Sequence, residues 1–171
     1  MTPRIETPRL ILRPLGPQDQ VCVLQGLNDL AVSSWLSVVP YPYVAADFQA
    51  FQTGMAHPGQ TWAMTEAGRF AGVLGMENAT LGYWLLPWAQ GRGLATEAAG
   101  AALGVHFAGG GGEVGSGYFA GNARSAGVLA KLGFAEVARD VKFCRPMGQD
   151  RPHVTLRLTA QAFGLSAYNL V

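Results

Sequence analysis

The chain has 171 residues, of which 49% are hydrophobic and 13% charged, with a formal net charge of +1. That length supports one domain with a sizeable core rather than two, and that composition excludes a disordered chain. The near-neutral charge gives no electrostatic case for nucleic acid or for an anionic membrane surface as a partner.

The opening MTPRIETPRLILRPL alternates arginine with short apolar runs, which is not the layout of a signal peptide. Its segment RLILRPL (9–15) predicts a strand ending near Pro14. PQDQVCVLQGLND (17–29) follows with Val21, Leu24 and Leu27 at helical spacing. WLSVVPYPY (35–43) is aromatic and broken by prolines, so a loop is expected there. DFQAFQTGM (47–55) returns to a helical pattern through Phe48, Phe51 and Met55.

The period then changes. Residues 61–86 hold three strand-like runs separated by EAG and EN turns, and in the last run Leu81, Tyr83 and Leu85 share one face. After QGRG, a helix over about Ala95 to Phe107 is apolar on nearly every side and is expected to be buried. The apolar stretch 94–112 around it is interrupted by Glu97 and His106, so it does not read as a membrane span. A second helix is expected over Ala123–Leu132, with Asn122 as its N-cap, Lys131 in its last turn and Gly133 ending it. Residues 137–145 and 153–158 read as a closing hairpin around PMGQDRP. The sum is a mixed α/β domain built around a strand–glycine loop–helix unit. Cys22 and Cys144 are far apart and lack metal-ligand spacing, which fits a reducing cytoplasm and gives neither a disulfide framework nor a metal site.

The loop Gln90-Gly91-Arg92-Gly93-Leu94-Ala95 is the most informative stretch. Helix N-termini expose unpaired N–H groups and the positive end of the helix dipole, and glycine lets that backbone approach a phosphate closely. No G-x-x-x-x-G-K-[ST] occurs, so a P-loop is excluded. A G-x-G-x-x-G match at Gly110, Gly112 and Gly115 follows a helix rather than a strand, which is the wrong context for a dinucleotide site. On spacing alone, QGRGLA is either an anion cradle or an ordinary strand-to-helix turn.

QGRGLA fits the Q/R-x-x-G-x-G/A signature of the GNAT acetyltransferase superfamily, between that family's fourth strand and third helix. LGYWLLP (81–87) and NARSAGVLAKLGF (122–134) resemble the branch containing bacterial ribosomal-protein N-terminal acetyltransferases, as do TPRLILRPL and PYPY (40–43). The likeness runs from about Thr7 to Leu158. It implies a single α/β (α+β) domain over residues 1–171, with a central mixed, mostly antiparallel, splayed sheet flanked by helices. It also implies acetyl-CoA as donor, with no metal. Backbone amides of Gln90, Gly91, Arg92, Gly93, Leu94 and Ala95 would hold the pyrophosphate, and main-chain groups of Leu85 and Leu86 the pantetheine arm. The glycines of EVGSGYFAG suit a weak fifth strand splayed from the fourth.

For the chemistry, the resemblance implies Ser125 as proton donor to the departing thiolate, with Asn122 holding the cofactor arm and an N–H near Leu86 polarising the thioester carbonyl. Tyr118 is the alternative donor. That branch often carries an acidic residue just before LGYW, where this chain has Thr80, so the resemblance leaves the general base unassigned. Glu77 is expected in a hairpin turn and Glu97 at a helix start, while His57, His106 and His153 are scattered. Trp35, Tyr41 and Tyr43 are expected to line the acceptor pocket. The acceptor implied is a primary amine, foremost a protein N-terminal α-amine. A small amine such as an aminoglycoside or polyamine is the rival acceptor, and a non-catalytic acyl-CoA sensor the rival function. The expected protein is cytoplasmic, a monomer or homodimer.

Overall fold

A computed structural model describes residues 3–54 and 61–170; Met55 and His57 lie outside the described residues. Eight strands form one sheet: β1 (Ile5–Glu6), β2 (Ile11–Pro14), β3 (Thr61–Glu66), β4 (Arg69–Glu77), β5 (Thr80–Leu85), β6 (Val114–Phe119), β7 (Ala135–Cys144) and β8 (Gln149–Leu158). Their order is β1-β2-β3-β4-β5-β6-β8-β7, and every neighbouring pair is antiparallel except β5 and β6. The helices are α1 (Gln20–Leu27), α2 (Leu30–Ser33), α3 (Ala45–Gly54), α4 (Leu94–Ala108), α5 (Ala123–Leu132) and α6 (Ala160–Gly164). This is the α/β fold expected, mixed and mostly antiparallel.

The period-2 patterning divides the core between the two faces of the sheet. Trp62, Met64, Leu74, Leu81 and Leu85 pack with α4, α5 and Phe163 of α6. Ala63, Val73 and Leu86 pack with Val23, Leu27 and Phe48 of α1 and α3. Leu81, Tyr83 and Leu85 therefore share the α4 face, as the alternation requires, and Trp84 faces α1. Helix α4 buries Leu94, Ala95, Ala98, Ala99, Gly100, Ala102 and Leu103, because residues this small let it lie close on the sheet.

The C-terminal segment packs on α4 and α5. The Tyr168 ring occupies the space a side chain at Gly100 would fill, stacks on Phe163, and its N–H donates to the Lys131 carbonyl.

The closing hairpin differs from expectation in extent. Its second strand begins at Gln149, not His153, and carries Pro152 opposite Val141. Proline is tolerated there because β6 ends at Phe119, opposite His153, so Pro152 needs no N–H on that side. No helix among the described residues is long and apolar enough to cross a membrane.

Candidate active site

β5 and β6 form a wedge. They pair through Thr80 and Gly115 alone, reinforced where the Gly115 N–H donates to Ala79 O (2.8 Å) and Ser116 Oγ donates to Leu81 O (2.9 Å). Beyond that point the strands part. Glycines at 115 and 117 weaken β6 in this stretch, as expected of a splayed strand.

Strand parity decides which main-chain groups face the gap. The Leu86 N–H donates to Ala71 O at 2.8 Å, so Ala71 of β4 and Leu86, one residue past the end of β5, continue the ladder as a hydrogen-bonded pair. The next pair, Gly72 and Leu85, is therefore non-hydrogen-bonded, and the Leu85 N–H and C=O point away from β4 into the wedge. The Leu85 carbonyl accepts from Gln90 Nε2 at 2.9 Å. The expectation for Leu86 is thus corrected: its amide is already used, and its side chain packs towards α1. The amide aimed into the gap is that of Leu85.

A cavity of about 620 Å³ opens from this wedge. One end is the glycine loop, with Gly91 at φ +71° and Gly93 at φ +78°, a left-handed backbone that favours glycine. Glu97 is the first residue of α4 whose N–H returns to backbone, onto Gly93 O at 3.1 Å, so the amides of Leu94, Ala95 and Thr96 lie in the unpaired first turn. The Gln90 N–H is spent on Pro87 O (3.2 Å), which leaves the amide cradle to Gly91–Ala95. The Arg92 side chain turns out of the cavity into a two-pronged bond with Glu66 (2.7 and 2.9 Å). The Gln90 side chain bridges inward, its Oε1 accepting from Arg124 Nη1.

The loop is fixed from behind. Arg9 donates to the Arg92 carbonyl (2.7 Å) and to Glu97 Oε2 (2.7 Å), while Thr7 Oγ1 donates to Glu97 Oε1 (2.6 Å). Burial raises the Glu97 carboxyl, but the bonds from Thr7 and Arg9 outweigh it and hold it below the usual carboxylate range. Glu97 is a scaffold residue, as its helix-start position suggested.

In the middle of the cavity stand Tyr83, Leu85, Asn122 and Ser125. Asn122 caps α5, its Oδ1 accepting from the Ser125 N–H at 3.2 Å. Ser125 Oγ accepts from the Tyr83 hydroxyl at 3.4 Å. Tyr118 does not line the cavity, and the phenol beside Ser125 is that of Tyr83, which the sequence placed only on one face of its strand with Leu81 and Leu85. Burial pushes the Tyr83 phenol up, against a smaller lowering by the Ser125 hydroxyl.

At the other end lie Ala31, Val32, Trp35, Trp84 and Gly121. Trp35 is held in place by Arg151, whose guanidinium sits 4.8 Å from the Trp35 ring centre and 5.0 Å from that of Phe119, and which donates to Ser34 O. Tyr41 and Tyr43, expected beside Trp35, are elsewhere. Tyr41 is 43% exposed and lines neither cavity, whereas Tyr43 is 6% exposed in a second cavity of about 280 Å³. Burial, with the Asp47 carboxylate, pushes the Tyr43 phenol to about 12.

Among the described residues, the charged groups lining the main cavity are Arg124 and Lys131, with no carboxylate or histidine. Glu77 closes β4 opposite Thr80, at the paired end of the wedge, five residues of strand from Leu85.

Residues 9–135 match the acetyltransferase (GNAT) domain family, about three quarters of the chain. The chain belongs to the GNAT acetyltransferase family. It is an acyltransferase, and acetyl-CoA is the donor this family uses. Solved GNAT structures share the fold along nearly its whole length. Mycobacterium smegmatis RimJ in complex with CoA-disulfide is 21% identical, with a TM-score of 0.76 over 97% of this chain and 90% of that one. The ribosomal-protein-S5-alanine acetyltransferase of Vibrio fischeri is 17% identical (TM-score 0.72; 94% and 98% covered). Spermidine N-acetyltransferase from Vibrio cholerae, in complex with CoA and spermine, is also 17% identical (TM-score 0.75; 91% and 98% covered). The neighbours thus include members of the ribosomal-protein branch, alongside a polyamine enzyme. No curated protein sequence matches the chain.

Proposed function

We propose that this GNAT protein transfers an acetyl group from acetyl-CoA to the α-amine at the N-terminus of a polypeptide. The observation that carries the choice of acceptor is that no carboxylate stands among the described residues lining the cavity, whose far end, at Ala31, Val32, Trp35, Trp84 and Gly121, is uncharged. A polyamine or an aminoglycoside carries several positive charges. It would enter such a cavity without a counter-ion and lose the electrostatic recognition on which polycation binding rests. The resemblance to the ribosomal-protein branch supports the same acceptor.

The lack of a carboxylate or histidine among the described residues lining the cavity fits an α-amine as well. A lysine side chain, pKa ~10.4, is neutral in about one molecule in 2,500 at pH 7, whereas an α-amine near pKa ~8 is neutral in about one in ten. Only the second can react at a useful rate when solvent water removes the proton.

The residues fit acetyl-CoA. The left-handed glycines at 91 and 93 and the free first turn of α4 suit its pyrophosphate, and Arg124, bonded to Gln90 of the loop, would add charge there. The donor molecule supplies an activated thioester. The Leu85 N–H, fixed in direction by the β4–β5 register, would donate to the thioester oxygen as charge builds there. Ser125 would protonate the departing sulfur, and Asn122 would order the first turn of α5 that carries it. Trp35 would wall the acceptor side and exclude water.

Release of free thiol from acetyl-CoA tests the proposal against Ser- and Ala-starting peptides, spermine and an aminoglycoside. Release with the peptides alone is expected. Release with spermine alone would move the protein to the polyamine class. Acetyl-CoA binding without release on any acceptor would make it a sensor.

A further inference from the structure

Tyr83 and Ser125 come from β5 and α5, 42 residues apart in sequence, and both residues line the main cavity. Their 3.4 Å contact is longer than the roughly 2.7–2.8 Å of a tight O–H···O bond, a slack common in catalytic pairs before the reactants bind. The arrangement has a direction. A serine hydroxyl has one proton to give and two lone pairs. A phenol is a far stronger donor than an aliphatic hydroxyl, so Tyr83 gives its proton to Ser125 Oγ. The proton of Ser125 must then point elsewhere, and the open side of that hydroxyl is the cavity.

We propose that Tyr83 is a positioning residue that orients the Ser125 hydroxyl as a donor to the coenzyme sulfur. The inference rests on the acetyl-transfer reading above and adds a residue to it. In the reaction the acceptor nitrogen forms a bond to the acetyl carbon, the carbon–sulfur bond breaks, and the sulfur leaves with its electron pair. Sulfur takes a proton from Ser125 Oγ, Tyr83 supports the resulting charge on that oxygen, and the proton shed by the amine returns to Ser125 through solvent. One proton leaves nitrogen and one arrives on sulfur, so the step balances without a further reactant. Burial, which pushes the Tyr83 phenol up, keeps it in the protonated form this role requires.

The neighbours support a role beyond packing. Leu81 and Leu85, two residues to either side of Tyr83 on the same face of β5, are buried in the core against α4 and α5. Tyr83 packs against the same core but is only partly buried, lines the cavity and turns its hydroxyl to Ser125. A leucine or phenylalanine would satisfy the core at this position without that hydroxyl.

The test is ionisation of the thiol of CoA bound to the protein, followed by the ultraviolet absorbance of its thiolate. The proteins compared are wild type, Tyr83→Phe, Ser125→Ala and the double variant. Phenylalanine keeps the ring and its packing, and CoA affinity measured alongside confirms an intact site. Each single variant is expected to make the bound thiol about tenfold harder to ionise, the worth of one hydrogen bond to a charge. The double variant is expected to add nothing. Turnover should fall about tenfold in Tyr83→Phe with the KM for acetyl-CoA unchanged, and Ser125→Thr, which keeps a hydroxyl, should recover most of the loss in Ser125→Ala. If Tyr83→Phe leaves thiol ionisation unchanged while Ser125→Ala shifts it, Tyr83 is only packing and the inference falls. If neither shifts it, the proton-donor role of Ser125 falls too. A wild-type protein that fails to bind CoA would overturn the transfer reading itself.

Discussion

Arg9 and Glu97 are bound to each other across 88 residues of sequence, with Nε to Oε2 at 2.7 Å and the Arg9 backbone N–H to Oε1 at 2.8 Å. The same arginine holds the Arg92 carbonyl. One side chain from the N-terminal segment thus fixes both the glycine loop and the first turn of the helix that follows it.

Removing that anchor should cost stability in a pH-dependent way. Glu97→Ala loses three hydrogen bonds to a charged group, about 2 kcal/mol net, or a fall in Tm of roughly 4–8 °C. The folded Glu97 carboxyl lies below its unfolded value, so its contribution is complete above the unfolded pKa and is lost as pH falls through the folded one. Thermal melts of wild type and Glu97→Gln should therefore differ most near neutrality and converge in acid. A gap that widened in acid would reverse the sign of the account.

Gly93 is the N-cap of α4, at φ +78°, and a Cβ there would stand 3.4 Å from Arg9 Nη2. Gly93→Ala should cost about 1 kcal/mol in backbone strain. By shifting the loop amides it should also weaken CoA binding at least tenfold, read by calorimetry. Unchanged CoA affinity would place the pyrophosphate elsewhere.

Trp35→Ala should act on the acceptor alone. The indole lines the cavity and is held by Arg151, and on the proposed reading it walls the acceptor side. Its removal should therefore raise the peptide KM about tenfold, the range of a lost aromatic contact. The KM for acetyl-CoA should stay within about twofold. Equal effects on both substrates would mean that Trp35 supports the whole cleft.

Much of this was legible in the sequence where the signal is local. Asn122 and Gly133 bracket α5 at the predicted Ala123–Leu132, because an N-cap and a left-handed glycine act within a few residues. The alternation in β5 assigned Leu81 and Leu85 to one face and Trp84 to the other for the same reason. What was not legible depended on partners distant in sequence. The amide of Leu86 reads like that of Leu85 until β4 fixes which of the two bonds Ala71. Tyr83 reads only as a face-mate of Leu81 and Leu85 until α5 brings Ser125 to it. Tyr43 looked like a cleft aromatic, but the 34–44 loop folds it inward against α1 and α3.

The pH dependence of transfer should follow the acceptor. With no carboxylate or histidine among the described residues lining the cavity, kcat/KM for a peptide should rise about tenfold per pH unit and level off near the α-amine pKa of ~8. The Tyr83 phenol, raised by burial, should cause no decline across that range. A plateau already reached near pH 6 would reveal a base on the protein.

The most direct test of the central claim is to locate the acetyl group on a peptide that carries both a free α-amine and an internal lysine. After incubation with the protein and acetyl-CoA at neutral pH, mass-spectrometric fragmentation reads which nitrogen is modified. Acetylation of the α-nitrogen alone, with spermine untouched in a parallel reaction, is the predicted result. Acetylation of the lysine, or of spermine in preference to the peptide, would contradict it.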